Sequence, residues 1–414
     1  MLSSTSNSEP HASQAPAAEP ALRVVGATLL TSARYLCAVV IVTLLLGEAY
    51  MRLPFVARRL EYEPDPVLGG RLAPNQFGYI WLAQMSLQSP PITLNRDGFR
   101  GYETDWTQPV VLILGDSEWF GAGVTDDEVW TSRLEPALRA DTALPTLQVV
   151  NAAHPGDGPY HQLVVARRVL ATHRVEAILC LVAIEQRNFH SIPEGERGAR
   201  FAEAERRQLI RRVSLFLPFL FNKIEAQLPS VRQALRPSAL RSADTSSDEI
   251  TRAVERDMWQ SSHQWWEHLA AEAAVRSIPI LFVIQDLRHR PASDELAVHL
   301  QELARNFGTA SVTRIGPRDF GLGDVPRAEL SRTLKQRLTL RRDPHANAEQ
   351  HRMLAEALRL RLQGSGLTAQ IAQQTRMRAN GTAPAASCPH DRLLPTDNAP
   401  RSTRLCVTGV QPGF

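Results

Sequence analysis

Lysine is almost absent from this chain, in which Lys223 and Lys335 are the only two among 46 basic residues. The other basic residues are arginines, and 43 acidic residues bring the net charge to only +3. No basic run is interleaved with aromatic side chains, which make up 6% of the sequence. A nucleic-acid-binding surface needs clustered cations and stacking rings, so we expect no nucleic-acid partner.

Cysteine is also scarce, with four in 414 residues. Cys37 lies in an apolar run and Cys180 in a predicted buried strand, where each is expected to act as a small hydrophobic side chain. Cys388 and Cys406 lie near the C-terminus and are able to pair in an oxidising compartment. Only Cys388 has a second ligand type, His390, at metal-binding spacing, so we predict no metal site.

Composition divides the chain into five parts. Residues 1–23 and 365–414 lack apolar periodicity and are rich in small and polar residues, so both are predicted to be disordered. Between them lie an apolar segment at 24–50, a proline-rich connector or N-terminal arm at 51–105, and a folded region at 106–364.

The apolar segment is interpreted as a transmembrane anchor or as a cleaved signal peptide. Its uninterrupted core, residues 35–47, carries no charge but is shorter than the roughly twenty residues that span a bilayer. Extension back to Val24 reaches that length and includes Arg34, whose side chain can reach an interface. Gly47 and Ala49 are small residues placed as in a signal cleavage site, although the preceding leader is long. The anchor is favoured, and a buried core helix is the third interpretation.

The segment that organises the folded region is VVLILGDSEWFGAGV, residues 110–124. Its first five residues are apolar β-formers and predict a buried strand. The strand runs directly into Gly115, Asp116 and Ser117, which places a small polar nucleophile at the carboxyl end of a strand. Ligands of open α/β sheets bind at that end, where the following helix presents free N–H groups.

Strand and helix patterns alternate after this segment, which predicts an α/β fold with a parallel sheet. Asp126 or Thr125 is the candidate cap of the first helix. Residues 191–251 interrupt the alternation as an insertion, for which a lid, a helix lying on the membrane and a helical pair packed on the sheet are the alternatives. Further strands are predicted over residues 147–150, 177–184 and 278–284.

Two more motifs follow the GDS segment in order. NAAHPG, from Asn151 to Gly156, comes directly after the second predicted strand. DPH, from Asp343 to His345, leads into a predicted helix over residues 348–362.

These motifs supply the residues of a serine nucleophile site. The hydroxyl of Ser117 needs an adjacent base, for which His345 is the candidate, and Asp343 would orient the imidazole and stabilise its cation. His154 and His351 are the rivals for the base. His351 is predicted to be structural because it lies on the following helix, and His154 is expected to face the substrate.

With strand-GDS, strand-NxxxPG and DxH-helix in this order, residues 110–362 resemble the SGNH/GDSL hydrolase superfamily. The resemblance implies a three-layer α/β/α, flavodoxin-like fold with a central parallel sheet, here preceded by a transmembrane helix. It also implies an oxyanion hole formed by the backbone N–H groups of Ser117 and Gly156. The third donor of the family is an Asn after the next strand. Asn188 is the nearest, Gln186 is the alternative, and a site without a third donor is the remaining interpretation.

The resemblance further implies a serine esterase or O-acyl or O-acetyl transferase that needs no cofactor and acts on an acylated small molecule or cell-envelope glycan. An apolar segment ending in Glu48 and Arg52 is typical of membrane-anchored bacterial members. It implies a single-pass inner-membrane protein with a periplasmic catalytic domain. Arginines on both sides of the segment do not favour this orientation by themselves. The alternative class is a catalytically degenerate binding or assembly protein of the cell envelope, favoured by the incomplete third motif.

Overall fold

The computed structural model of the chain describes residues 19–53, 58–82, 87–183, 248–287, 291–340 and 345–380, with isolated positions between 201 and 220. Most of the predicted insertion lies outside the described residues. So do the first 18 residues and residues 381–414, including Cys388 and Cys406.

The described part begins with helix α1 (Glu19–Met51). Its stretch from Leu29 to Met51 is long and apolar enough to cross a membrane, and its most apolar window is not buried against the rest of the chain. The helix contains the predicted segment 24–50 and starts at Glu19, within the stretch predicted to be disordered. That prediction is wrong for residues 19–23 because alanine, leucine and arginine favour continuation of a helix.

An N-terminal arm of seven short strands follows α1 and packs against the main domain. Leu60, Leu72, Ile92 and Leu94 are buried in the main core, so the predicted connector is part of the folded unit. The arm strands are β1 (Arg58–Arg59), β2 (Tyr62–Asp65), β3 (Gly69–Leu72), β4 (Gln76–Tyr79), β5 (Trp81–Leu82), β6 (Leu87–Gln88) and β7 (Ile92–Leu94).

The main domain alternates strands and helices. In chain order its elements are β8 (Val110–Leu114), α2 (Ser117–Phe120), α3 (Trp130–Thr142), β9 (Gln148–Asn151), α4 (Pro159–Thr172), β10 (Ala177–Ala183), α5 (Asp248–Val275), β11 (Ile280–Gln285), α6 (Pro291–Asn306), β12 (Ala310–Ile315), a 3-10 turn (Pro317–Phe320), α7 (Arg327–Arg337), α8 (Ala348–Gly364) and α9 (Leu367–Ala379).

The five described strands of this domain form one parallel sheet with the order β9-β8-β10-β11-β12. Numbered along the chain, this is the 2-1-3-4-5 order of flavodoxin-like sheets. The three inner strands, β8, β10 and β11, are largely continuous apolar runs because helices cover both faces. Val111 and Ile113 face the core shared with α3 and α8, whereas Val110, Leu112 and Leu114 face the core shared with α4, α5 and α6. The predicted three-layer α/β/α fold is confirmed.

The N-terminal arm covers the free edge of the sheet at β9. The backbone N–H of Arg100 donates to the carbonyl of Asn151 at 3.1 Å, in an antiparallel bridge. Farther along β9, the side-chain amide of Gln148 exchanges two hydrogen bonds with the backbone of Asp105. An exposed strand edge pairs readily with other chains, and here the arm removes that edge from solvent.

Two local predictions are wrong. Helix α3 starts after Val129 without a side-chain cap, because Asp126 accepts hydrogen bonds from Thr93 and Arg100 instead. The C-terminal segment from residue 365, predicted to be disordered, continues as α9 up to Ala379. Leu367 and Ile371 of this helix are buried in the main core, so apolar burial offsets the entropy of ordering it.

Candidate active site

Ser117 lies at the carboxyl end of the central parallel sheet. It is the first residue of α2, which follows β8 after only Gly115 and Asp116 and consists of a single turn. The carboxylate of Asp116 caps this turn by accepting the backbone N–H of Glu118 at 2.9 Å. The helix that begins at Ser117 is therefore one turn, whose position depends on contacts from neighbouring segments.

His345 contacts Ser117 directly although 228 residues separate them. Its Nε2 lies 3.0 Å from the Oγ of Ser117, within hydrogen-bond reach of a base and its nucleophile. His345 stands in the connection between α7 and α8, where its carbonyl accepts the N–H of Leu340 at 3.0 Å and Ala346 bridges Thr339. The structure thus brings together the two residues predicted to be nucleophile and base.

A glycine permits this close approach. A Cβ built on Gly123 would collide with the side chain of Leu340 and stand 3.1 Å from the carbonyl oxygen of Ala346. The segment that carries His345 therefore packs directly on the backbone of the loop after α2. A larger residue at position 123 would separate the two segments.

The acid beside the nucleophile is buried. Only 6% of Asp116 is exposed. Burial raises the pKa of Asp116 to about 6, although hydrogen bonds from the N–H groups of Glu118 and Trp119 and the charge of His345 act in the opposite direction. An anion beside the imidazole favours its protonated form, which is the form a base takes once it has removed a proton.

The rival His351 lies in the core. It is 1% exposed, and neither ring nitrogen has a hydrogen-bond partner among the residues that the structure describes. Burial, together with the charges of Arg100, Arg133 and His345, lowers the pKa of His351 to about 3. It is therefore neutral at physiological pH and packs beside Gly121.

The other rival, His154, is held by its own neighbours. Its Nδ1 lies 2.9 Å from the carboxylate of Asp157, and the edge of its ring meets Tyr62 with a centroid distance of 5.4 Å. Its backbone N–H donates to the carbonyl of Gly115 at 3.1 Å. This bond places the loop that contains Gly156 beside the end of β8, where the oxyanion donor is predicted.

Asn151 connects the same loop to α2. Its side-chain amide donates to the carbonyl of Trp119 at 3.0 Å, and its Oδ1 accepts the N–H of Ala153 at 3.2 Å. The indole of Trp119 donates to Gln285 at the end of β11. Sequence reasoning named Asn151 only as a motif position, and its spacing from Trp119 carries no signal that would have revealed this contact.

Three predicted residues lie outside the described part of the chain. They are Asp343, Asn188 and Gln186. Among the residues that are described, no cluster of three or more His, Cys, Asp or Glu side chains is suited to a metal ion.

A cavity of about 270 Å³ lies between α4 and the N-terminal arm. Phe99, Trp106, Val165 and His154 are among its lining residues, whereas neither Ser117 nor His345 is. Arg168 on its wall forms a bidentate ion pair with Asp65 of the arm, at 2.6 and 2.9 Å. This pair attaches β2 to α4.

Comparison with known proteins finds no matching family model and no matching curated protein. Similar solved structures include an alpha/beta hydrolase from the metagenome of Lake Arreo, Spain, which is 13% identical with a TM-score of 0.33 and covers 63% of this chain and 97% of its own. A psychrotrophic esterase from Pseudoalteromonas sp. is 12% identical, with a TM-score of 0.34 and coverage of 61% and 94%. AlinE4, an SGNH-hydrolase family esterase, is 17% identical, with a TM-score of 0.29 and coverage of 53% and 82%.

All three TM-scores are below 0.5. Likeness this distant carries no argument about activity. The chemistry rests on the contact between Ser117 and His345.

Proposed function

We propose that this chain is an SGNH-type serine hydrolase acting on ester bonds. The observation that carries the proposal is the 3.0 Å contact between Nε2 of His345 and Oγ of Ser117. It occurs at the carboxyl end of a parallel sheet, where α/β proteins place their ligand sites. A histidine that accepts the proton of a serine is the arrangement that makes a hydroxyl nucleophilic at neutral pH.

The chemistry proceeds in two halves. The Ser117 oxygen attacks the ester carbonyl carbon while its proton passes to Nε2 of His345. Collapse of the tetrahedral intermediate breaks the bond to the alcohol, which leaves with that proton. Water, or the hydroxyl of an acceptor, then attacks the acyl-enzyme in the same way, so one site supports either an esterase or an O-acyltransferase.

Other roles are carried over from the superfamily resemblance. Asp343 orients His345 and stabilises its cation. The backbone N–H groups of Ser117 and Gly156 donate to the oxyanion, and Asn188 or Gln186 supplies the third donor. The hydrogen bond from His154 to Gly115 supports this assignment because it brings the Gly156 loop beside the nucleophile strand.

The proposed location is the bacterial inner membrane, with α1 as a single anchor and the catalytic domain in the periplasm. The length and apolar character of α1 support the anchor. The resemblance to anchored members supports the orientation and suggests an acylated glycan of the cell envelope as substrate. The chemistry described requires no cofactor.

A fluorophosphonate probe tests the proposal, because it reacts with a serine that a neighbouring imidazole activates. We expect labelling of the purified protein, and loss of labelling in Ser117→Ala and His345→Ala. Ser132→Ala is the matched control, since Ser132 is an exposed serine of α3 whose hydroxyl donates to the carbonyl of Asp126. Labelling that survives Ser117→Ala would reject Ser117 as the nucleophile.

Turnover of an activated acetyl ester provides the second measurement. If the folded parent protein is neither labelled nor active on acyl esters, the degenerate binding or assembly protein becomes the better interpretation. Substitution of Asn188 by Ala then separates the donor candidates in an active protein. A true oxyanion donor is worth about a hundred- to a thousand-fold in rate, whereas a surface amide is worth almost nothing.

A further inference from the structure

Arg100 is a buried cation whose donors all point at one loop. Its side chain has no exposed surface. One terminal nitrogen donates to the carbonyls of Phe120, at 2.7 Å, and Gly121, and the other donates to the carbonyl of Val124 at 2.7 Å. Its Nε contacts the carboxylate of Asp126 at 3.2 Å. The guanidinium therefore holds the last carbonyl of α2 and two carbonyls of the loop that follows it.

Burying a charge is expensive unless every donor finds a partner, and apolar packing stabilises a core at lower cost. Burial lowers the pKa of Arg100 to about 10, while the nearby charge of Asp126 opposes that effect, so the group remains a cation at neutral pH. Gly121 leaves room for it, because a Cβ there would stand 2.8 Å from the guanidinium. A buried fork of donors fixes a backbone conformation, which an apolar residue does not.

The loop that Arg100 holds is bonded back to the nucleophile. The N–H groups of Gly121 and Ala122 both donate to the carbonyl of Ser117, at 3.1 and 3.2 Å. The N–H of Phe120 donates to the carbonyl of Asp116 at 2.7 Å. Since α2 is a single turn, these bonds determine where Ser117 stands relative to His345.

The backbone of Arg100 holds the other side of the site. Its N–H donates to the carbonyl of Asn151 at 3.1 Å, and the side chain of Asn151 donates to the carbonyl of Trp119 in α2. One residue of the N-terminal arm thus contacts both the loop after α2 and the start of the Gly156 loop.

We propose that Arg100 is the positioning residue that sets the geometry of Ser117 from outside the main domain. It touches neither Ser117 nor His345 in the described structure and acts through the carbonyls at 120, 121 and 124. The proposal rests on the proposed serine chemistry for its kinetic part. Its structural part concerns the loop alone and is measured separately.

The test compares Arg100→Lys with Arg168→Lys. Lysine keeps the charge but cannot reach three carbonyls and a carboxylate at once. Arg168 is the matched control because it also joins the arm to the domain through a bidentate ion pair, but its partner is Asp65 and not the loop after α2. Both variants lose contacts between the arm and the main domain, but only Arg100→Lys loses hydrogen bonds to the loop after α2.

We expect Arg100→Lys to slow fluorophosphonate labelling and kcat by about 10- to 100-fold, with KM nearly unchanged, because small misplacements of reacting groups have effects of this size. Hydrogen exchange at the amides of residues 117–124 should become about tenfold faster or more. Arg168→Lys should change neither, even where it lowers the thermal midpoint.

Probe labelling and hydrogen exchange distinguish failure of the proposed function from failure of the positioning role. If the parent protein shows no labelling, the proposed function fails, and the exchange data still decide whether Arg100 holds the loop. If exchange and labelling in folded Arg100→Lys equal those of the parent, the positioning role is refuted. Should Arg100→Lys not fold, Asp126→Asn replaces it. That variant removes the carboxylate charge that anchors the guanidinium at Nε, so the hold on the three carbonyls loosens and labelling is expected to slow severalfold. An unchanged rate together with unchanged exchange would refute the role.

Discussion

Replacing Gly123 by alanine tests whether the approach of two backbone segments determines the geometry of the site. The added methyl group would meet the side chain of Leu340, which can rotate away. It would also stand 3.1 Å from the carbonyl oxygen of Ala346, which cannot move without its neighbour His345. Relief of both contacts requires a displacement of several tenths of an ångström to about 1 Å in the segment that carries the base.

The size of the effect follows from that displacement. A misplacement of about 1 Å costs roughly a hundred-fold in rate, or about 2.7 kcal/mol in the activation barrier. Overpacking of this kind costs about 1–3 kcal/mol in the free energy of unfolding. We therefore expect kcat on an activated acetyl ester and the rate of probe labelling to fall by about 10- to 100-fold, while the protein remains folded.

The control is Gly308→Ala, because a Cβ at Gly308 would meet no heavy atom within 4 Å. Rates are measured by stopped-flow or plate assay, and folding by the thermal midpoint of each variant. A Gly123→Ala protein with parental kcat would refute the reasoning. So would an equal loss of rate in Gly308→Ala, since that variant leaves the approach of the two segments untouched.

Three further predictions concern stability. The pKa of Asp116 is raised from 3.8 to about 6 in the folded state, so its ionisation destabilises the protein as pH rises through that window. Asp116→Asn should therefore raise the free energy of unfolding by about 3 kcal/mol at pH 7 and leave it unchanged at pH 3, as measured by urea unfolding. The pKa of His351 is lowered from 6.5 to about 3, so the folded protein loses stability as pH falls below about 6.5. His351→Leu should reduce this loss of unfolding free energy at acid pH by up to about 5 kcal/mol without slowing labelling. An unchanged pH dependence of stability would contradict its burial as a neutral group. A chain ending at Gly364 loses the burial of Leu367 and Ile371 and should be less stable by roughly 3–6 kcal/mol, whereas a chain ending at Asn380 should match the full chain.

The sequence alone determined the layered fold and the chemistry-bearing residues. Strands buried on both faces consist of continuous apolar residues. This local signal predicted both ends of β8, β10 and β11 to within two residues. Ser117 was named because its motif follows such a strand directly, and His345 because its motif leads into a helix. Local patterns sufficed there because the information lies within a few neighbouring residues.

Tertiary structure alone decided how these parts are held together. Nothing in the spacing of Arg100, Gly123 or Asn151 reveals that they meet the nucleophile loop, because each contact joins segments distant in sequence. The same holds for α9, which looked too polar to fold and is ordered by burying Leu367 and Ile371 against the domain. Apolar periodicity reports the face that a segment buries, whereas a single buried guanidinium or a glycine contact depends on which partner the completed fold brings to it.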